Sequence, residues 1–510
     1  MGVRAAVLAG ALGGCLVAGA FVLGLAGAFT GCGGGGSATS PDPDAGPADA
    51  GPPDANDWDR AVTRPDDDAA GAGRAACAYG RGALPAETLG KSVPVDVDIP
   101  IETIVVLMQE NRSFDSYFAH LNQYAGRTDI ESAPDTATNP ESVGPVPTPL
   151  HPFTHAPHLC ALDTDHEWPG THLEYDDGKM DGFYQANTGW GDPPDGAAPE
   201  VSDPARALWW YDERDIPFYY ALASTFAIGD HYFSSLLGPT WPNRDYLYMA
   251  TSMGVTAEAF PDLTDWGYPA RDALIFDELE RRGVRWDIYA DGLPPETCAA
   301  GPNIVARWPN HDPLHPVSDF LAQAQAGTLP QVAFVDAYFG HDSASGTDEH
   351  PPADIQFGQR FVSQIVQAVM ASPQWAHLAL FFTYDEHGGY YDHLAPPPAC
   401  KPDAIEPVLA AGDTTGGHFD RYGVRVPFVV VSPYARAGFV SHVVHDHTSI
   451  TRFLEARFRL PALTARDANA DPLMEMFDFA HPPFVTPPVI TPAADPDPTG
   501  VTYCVGTFGP

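Results

Sequence analysis

The stretch LALFFTYDEHGGYYDH, residues 378–393, decides both how the chain folds and where its chemistry lies. Its first five residues are an apolar run with the length and aromatic content of a buried strand. The remainder departs from that pattern: Asp385, Glu386, His387, Asp392 and His393 crowd around the glycine pair Gly388 and Gly389. Buried strands have no use for charge at their ends, so the charges need a chemical reason.

The same kind of run recurs at IVVLM (104–108), at residues 332–335 and at PFVVV (427–431). Between them, residues 356–370 and 448–458 place apolar side chains three and four apart, as helices do. Strands rich in Val, Ile and Phe separated by helices predict an α/β fold, with a central, mostly parallel sheet covered by helices on both faces. In such sheets ligands lie beyond the carboxyl ends of the strands. The charged residues after Phe382 therefore fall where a site is expected. Residues 128–210 are rich in Pro, Gly, His and acids and too long for an ordinary loop, which predicts an inserted cap beside the site.

Composition narrows the partners. The 510 residues are 44% apolar, enough for a large core, and the formal charge is 26 − 67 = −41. A surface this acidic excludes nucleic acid and electrostatic docking to anionic membranes, which depend on Lys and Arg neutralising phosphates. An anionic substrate would need a local reversal of the field, most simply by a bound cation.

Residues 1–32 read as an export segment: Arg4, a long apolar run, then FTGCGGGGS, which resembles a bacterial lipoprotein signal with Cys32 as the lipid-bearing residue. The alternative is a retained helix anchor, since the run is long enough to span a bilayer. Residues 33–76 are rich in Gly, Pro and Asp and read as a disordered acidic tether, leaving 77–510 as the catalytic domain. Cys77, Cys160, Cys298, Cys400 and Cys504 have no metal-type spacing, so one or two disulfides are expected, with one thiol left over.

Polar clusters adjoin each strand-like run. QENRSFD supplies Glu110, Asn111 and Arg112, and TYDEHGGYYDH supplies Asp385 and Glu386. The loop after residue 335 carries His341 and His350, and HVVHDHTS carries His445, Asp446 and His447. Two strand-end acid clusters with an asparagine offer hard oxygen ligands, which suit one divalent ion: Ca, Mg, Mn or Zn. In SSLLGPTWPNRDYLYM (234–249), Thr240 stands near a helix start, where backbone amides favour an anionic oxygen. Taken singly, each cluster is an ordinary cap or turn; their coincidence points to a site.

The blocks QENRSFDSYFAHL, DHEWPGTHLEYDDGKMDGF, LLGPTWPNR, DEHPPADIQFGQ, TYDEHGGYYDHLAPP and RVPFVVVSPYARAG with HDHTSITRFLE resemble, in order, those of the phosphoesterase family. That family contains non-specific phospholipases C and an acid phosphatase and belongs to the alkaline-phosphatase-like superfamily. The resemblance spans roughly residues 100–458. It implies metal ligation by Glu110, Asn111, Thr240, Asp385 and Glu386, with Thr240 as nucleophile and a phosphothreonine intermediate. It also implies that His166, His350 and Asn243 lie near the phosphate as donors or leaving-group acid. His341, His387, Asp392, His393 and Arg244 are further candidates, of which His387 and His393 are alternatively braces of the metal loop. His447 is expected to be structural. The resemblance implies a phospholipid or other phosphate-ester substrate; an acid phosphatase and a non-catalytic lipid-anchored binding protein are the competing readings.

Overall fold

The computed structural model describes residues 58–191, 197, 199–258, 274–292, 308, 310–339 and 343–509. Cys32 with the export segment, His341 and Cys298 lie outside the described residues. Within 61–510, the sheet-forming strands are β1 (Thr103–Gln109), β2 (Ala227–Gly229), β3 (Trp286–Tyr289), β4 (Leu314–His315), β5 (Val332–Asp336), β6 (Leu378–Tyr384), β7 (Phe428–Val431) and β8 (Val440–Ser441). They form one sheet in the order β8-β2-β7-β6-β1-β5-β3-β4. All neighbours pair in parallel except those of β7, which runs against both β6 and β2. The sheet is thus mostly parallel, as the apolar runs predict. One consequence differs from the strand-end rule: the carboxyl end of PFVVV faces away from the site, and it is Arg425, just before that strand, that faces it.

The centre of the sheet is β6-β1-β5, whose residues are buried throughout. Residues Gln109 and Tyr384 are paired at the ends of β1 and β6. The next residues along the chain, Glu110 and Asp385, therefore leave the sheet side by side.

The chain also forms the helices α1 (Asp67–Ala75), α2 (Phe114–Phe118), α3 (Trp168–Tyr175), α4 (Pro217–Thr225), α5 (Thr240–Met249), α6 (Ile355–Ala371) and α7 (His447–Phe458). Helix α6 begins where the Asp354 carboxylate accepts the Gln356 N–H and buries Phe361, Val362, Ile365, Val366 and Val369, a stripe at helical spacing. Successive residues of β6 show that both faces are covered. Phe381 packs edge-on against Phe453 of α7, while Phe382 stacks on Tyr219 of α4.

Helix α1 lies within the stretch whose composition reads as a tether, so ordered chain begins before residue 77. Cys77 pairs with Cys400, and Cys160 with Cys504. The 128–210 section contains two small two-stranded sheets and α3. It packs Phe153, Met180, Phe183 and Leu208 against Leu237 and Tyr391, so it adjoins the turn after β6. No helix among the described residues is long and apolar enough to cross a membrane.

Candidate active site

The turns after β1 and β6 are built as one unit. Asn111 adopts a left-handed φ of +62°, and Gly388 and Gly389 have φ of +63° and +69°. A Cβ on Gly388 would lie 2.6 Å from the Asn111 carbonyl oxygen, and one on Gly389 2.4 Å from that of Asp165. The glycine pair thus lets the β6 turn close between the β1 turn and the 128–210 section. Thr164 donates its hydroxyl to the Gly388 carbonyl. The Asn111 N–H donates to Asp385 Oδ1 (3.2 Å), and the Arg112 N–H to the Glu386 carbonyl (3.1 Å).

Helix α5 joins this unit through Arg244, one turn beyond Thr240. The guanidinium reaches Glu110 Oε1 and Asp385 Oδ2 at 3.2 Å each and Asp336 Oδ1 at 3.5 Å. One cation thereby binds the ends of β1, β5 and β6, and the four groups are buried. Thr240, the first residue of α5, is 5% exposed. Asn243 is spent locally: its carbonyl oxygen accepts the N–H groups of Ser235 and Leu236, and its amide donates to the carbonyls of Gly238 and Pro239. It holds the loop that delivers Thr240.

Electrostatics separate the acids. Burial, with the charge of Asp385 beside it, raises Glu110 well above the usual carboxylate range. Burial lifts Asp385 to about 6 against the pull of Arg244. Burial acts on Glu386 in the same sense, but the charges of His166 and His387 outweigh it and hold this carboxyl low. Glu110 Oε2, Asn111 Oδ1 and Glu386 Oε1 are buried without a hydrogen-bond partner among the described residues. Leaving buried oxygens unpaired is costly, and an all-oxygen donor set is what a hard divalent cation takes. The residues present therefore fit the expected ion.

The histidines divide into two groups. His166, on the 128–210 section, donates Nδ1–H to the Thr164 carbonyl (2.7 Å) and turns Nε2 toward Asn111 (3.4 Å). Its ring centroid is 5.9 Å from that of His350. Asp163, His166 and His350 bring ligand-type atoms within 4.8 Å of one another, so they too could hold a metal ion. Although burial opposes it, the charges of Glu386 and Asp163 raise His166 well above its usual pKa. The remaining histidines brace. His387 lies between Glu174 of α3 (2.7 Å) and Glu386 (3.2 Å), which raise it to about 9 despite burial. His393 bonds Asp115 and Glu131, and Asp392 with Asp115 grips Arg425. Burial lowers His447 to about 4, and it donates Nε2–H to the Asp385 carbonyl (2.6 Å).

Sequence reasoning missed three acids. Asp336 ends β5, where a strand-end position was the available signal. Glu258 is raised to about 8, first by its own burial, and interacts with the charges of His166, Glu386 and Asp385. Glu349 is buried next to His350.

The model of the Phosphoesterase family matches residues 101–461. The chain belongs to that family. It is 31% identical over 412 residues to non-specific phospholipase C1 of Arabidopsis thaliana, covering 76% of this chain and 73% of the relative. To phospholipase C B of Mycobacterium tuberculosis it is 33% identical over 434 residues, 75% and 78% of the two chains. Among solved structures, a protein in the alkaline phosphatase superfamily from Vibrio parahaemolyticus aligns over 75% of this chain and 71% of its own with TM-score 0.35 and 8% identity. As a phosphoesterase, this protein is a hydrolase acting on ester bonds.

Proposed function

We propose that the protein is an exported, metal-dependent phospholipase C-type phosphodiesterase working through a phosphothreonine at Thr240. The observation that carries this reading is the Arg244 bridge. The residue one turn after Thr240 is clamped by Glu110 and Asp385, which brings the start of α5 to both strand-end clusters. The names of the relatives supply the substrate class, and residues 1–32 support export.

The chain's own groups divide the work. The amide end of α5 favours the phosphoryl oxygens, and the Thr240 hydroxyl stands at that end to attack phosphorus. Glu110, Asn111, Asp385 and Glu386 would hold the divalent ion with Thr240. When bound, that ion lowers the pKa of the hydroxyl and draws charge from the phosphoryl group. The oxygen–phosphorus bond to the alcohol breaks as the bond to Thr240 forms. His166, charged and with Nε2 turned into the site, protonates the departing alcohol, with His350 beside it. Water then attacks the phosphothreonine, returning Thr240 and releasing the phosphorylated head group.

Turnover of a chromogenic phosphodiester and a phosphomonoester, each with and without chelator, tests this. Diester hydrolysis that is lost on chelation and in Thr240→Ala is expected. Activity retained by Thr240→Ala would remove the mechanism, a strong preference for the monoester would make the enzyme an acid phosphatase, and no turnover with metal supplied would leave a binding protein.

A further inference from the structure

Glu349 takes no part in the proposed chemistry, yet four side chains from β1, β6, α2 and α4 converge on its carboxylate. Its carboxylate accepts hydroxyl protons from Tyr117 on α2 (2.5 Å), Tyr384 at the end of β6 (2.8 Å) and Tyr219 on α4. Gln109, the last residue of β1, donates its amide to Oε1 at 3.4 Å. Tyr117 in turn accepts from Arg112 Nε (3.2 Å), whose Nη1 donates to the Asn111 carbonyl (2.7 Å).

Two further features show that the arrangement is held at a cost. Glu349 has a left-handed φ of +73°, a conformation non-glycine residues adopt rarely. Its side chain also lies against α6 where only a glycine leaves room for it: a Cβ on Gly358 would lie 2.1 Å from Glu349 Cγ. Both neighbours of Glu349 in the chain belong to the site. The Asp348 carbonyl accepts the Glu110 N–H at 2.9 Å, and the next residue is His350.

We propose that Glu349 is a positioning residue: by gathering three tyrosine hydroxyls it fixes the ends of β1 and β6 relative to each other and sets the direction in which His350 enters the site. This rests on the proposed function for its link to turnover, but not for its geometry. A carboxylate accepts from four donors at once, on two oxygens with two lone pairs each, and a glutamine amide of the same shape still holds the hydroxyls, accepting on its oxygen and donating from its NH2 to tyrosine oxygens, which accept as well as donate. Both oxygens of the buried Glu349 carboxylate have hydrogen-bond partners, and in a low-dielectric interior such bonds hold the groups that make them. The aromatic shell supplies the rest: Tyr117 packs edge-on against Tyr384 and beside Tyr219, so the rings cannot follow if the carboxylate is removed without leaving a void.

The test compares Glu349→Gln and Glu349→Ala, with Tyr117→Phe, Tyr219→Phe and Tyr384→Phe as a gentler series that deletes one hydroxyl each. Loss of an orienting partner should lower kcat of Glu349→Ala by about 10–100-fold with KM changed less than about threefold, and Glu349→Gln should recover most of it. Should Glu349→Ala fail to fold, graded losses of kcat across the tyrosine series at unchanged circular dichroism carry the same prediction. The imidazole NMR signals of His350 provide a readout independent of turnover: they should shift in Glu349→Ala and in Tyr384→Phe and stay near the wild-type position in Glu349→Gln. A wild type without esterase turnover would refute the proposed function, while these signals would still decide the role of Glu349. Variants that unfold at lower temperature but keep wild-type kcat per folded molecule and unmoved His350 signals would overturn it.

Discussion

Among single residues, Arg244 has the largest structural consequence. Three buried carboxylates share its guanidinium, so removing it leaves negative charges facing one another without compensation. Truncating one partner of a buried ion network costs about 3–5 kcal/mol. Arg244→Met is therefore expected to lower the unfolding free energy by that order in chelator, and added divalent cation should restore part of it; urea titrations under both conditions measure the difference. The sequence marks Arg244 only as a lesser candidate in the PNR motif, because the partners that give it its role are more than 90 residues away in the chain. The opposite holds for Asn243, whose motif position suggests contact with phosphate and whose side chain serves the turn instead. Residue type and spacing make Glu110, Asn111, Asp385 and Glu386 candidates because they come directly after recognisable strands. Glu258 and Glu349 do not, and burial, which gives them their character, is invisible in a one-dimensional pattern.

At the scale of elements, the turn after β6 is the least forgiving. Gly388→Ala would put a methyl group 2.6 Å from the Asn111 backbone at a φ of +63°, and neither the strand end nor the β1 turn can yield without moving Asp385 or Asn111. Loss of activity exceeding loss of stability is expected, read from kcat alongside thermal unfolding; near wild-type turnover in a folded variant would mean that the two turns are not coupled. A second element makes a pH prediction. The edge strand β8 is tied down by Glu475, which accepts from Ser441 Oγ (2.6 Å) and His445 Nε2 (2.7 Å). Burial opposes ionisation, but His445 prevails and holds Glu475 at about 2, below its ordinary 4.5. A depressed folded-state pKa contributes stability that is complete above about 4.5 and disappears as pH falls toward 2. The stability gap between wild type and Glu475→Gln should therefore narrow across that window in acid unfolding experiments. The long apolar strands are readable from their runs, whereas β2 and β8, with three and two residues, are too short to carry a pattern, and the reversed direction of β7 is set by its neighbours and not by its own residues.

For the molecule as a whole, the disulfides close loops of great length: Cys77–Cys400 spans 323 residues and Cys160–Cys504 spans 344. The first fastens the chain just beyond α1, and the second joins the 128–210 section to the helix at Pro498–Phe508. Removing either is expected to cost about 2–5 kcal/mol, measured by urea unfolding of Cys160→Ser/Cys504→Ser and of the oxidised and reduced wild type. Their pairing is not legible in the sequence, since scattered cysteines permit many connectivities; only their number and the export segment hint at them. The fold class, by contrast, is readable, because a mostly parallel sheet needs strands apolar on both faces and helices between them. The net charge of −41 sets the remaining condition, since an anionic ester approaches an acidic protein only if charge at the site is locally reversed. The most direct test of that chemistry is intact-mass and peptide mass spectrometry of enzyme quenched in acid during turnover of a phosphodiester with divalent metal present. Phosphorylated substrate fragment on Thr240, absent in chelator and in Thr240→Ala, is expected; robust turnover with Thr240 never modified, or modification of another residue, would contradict a phosphothreonine mechanism.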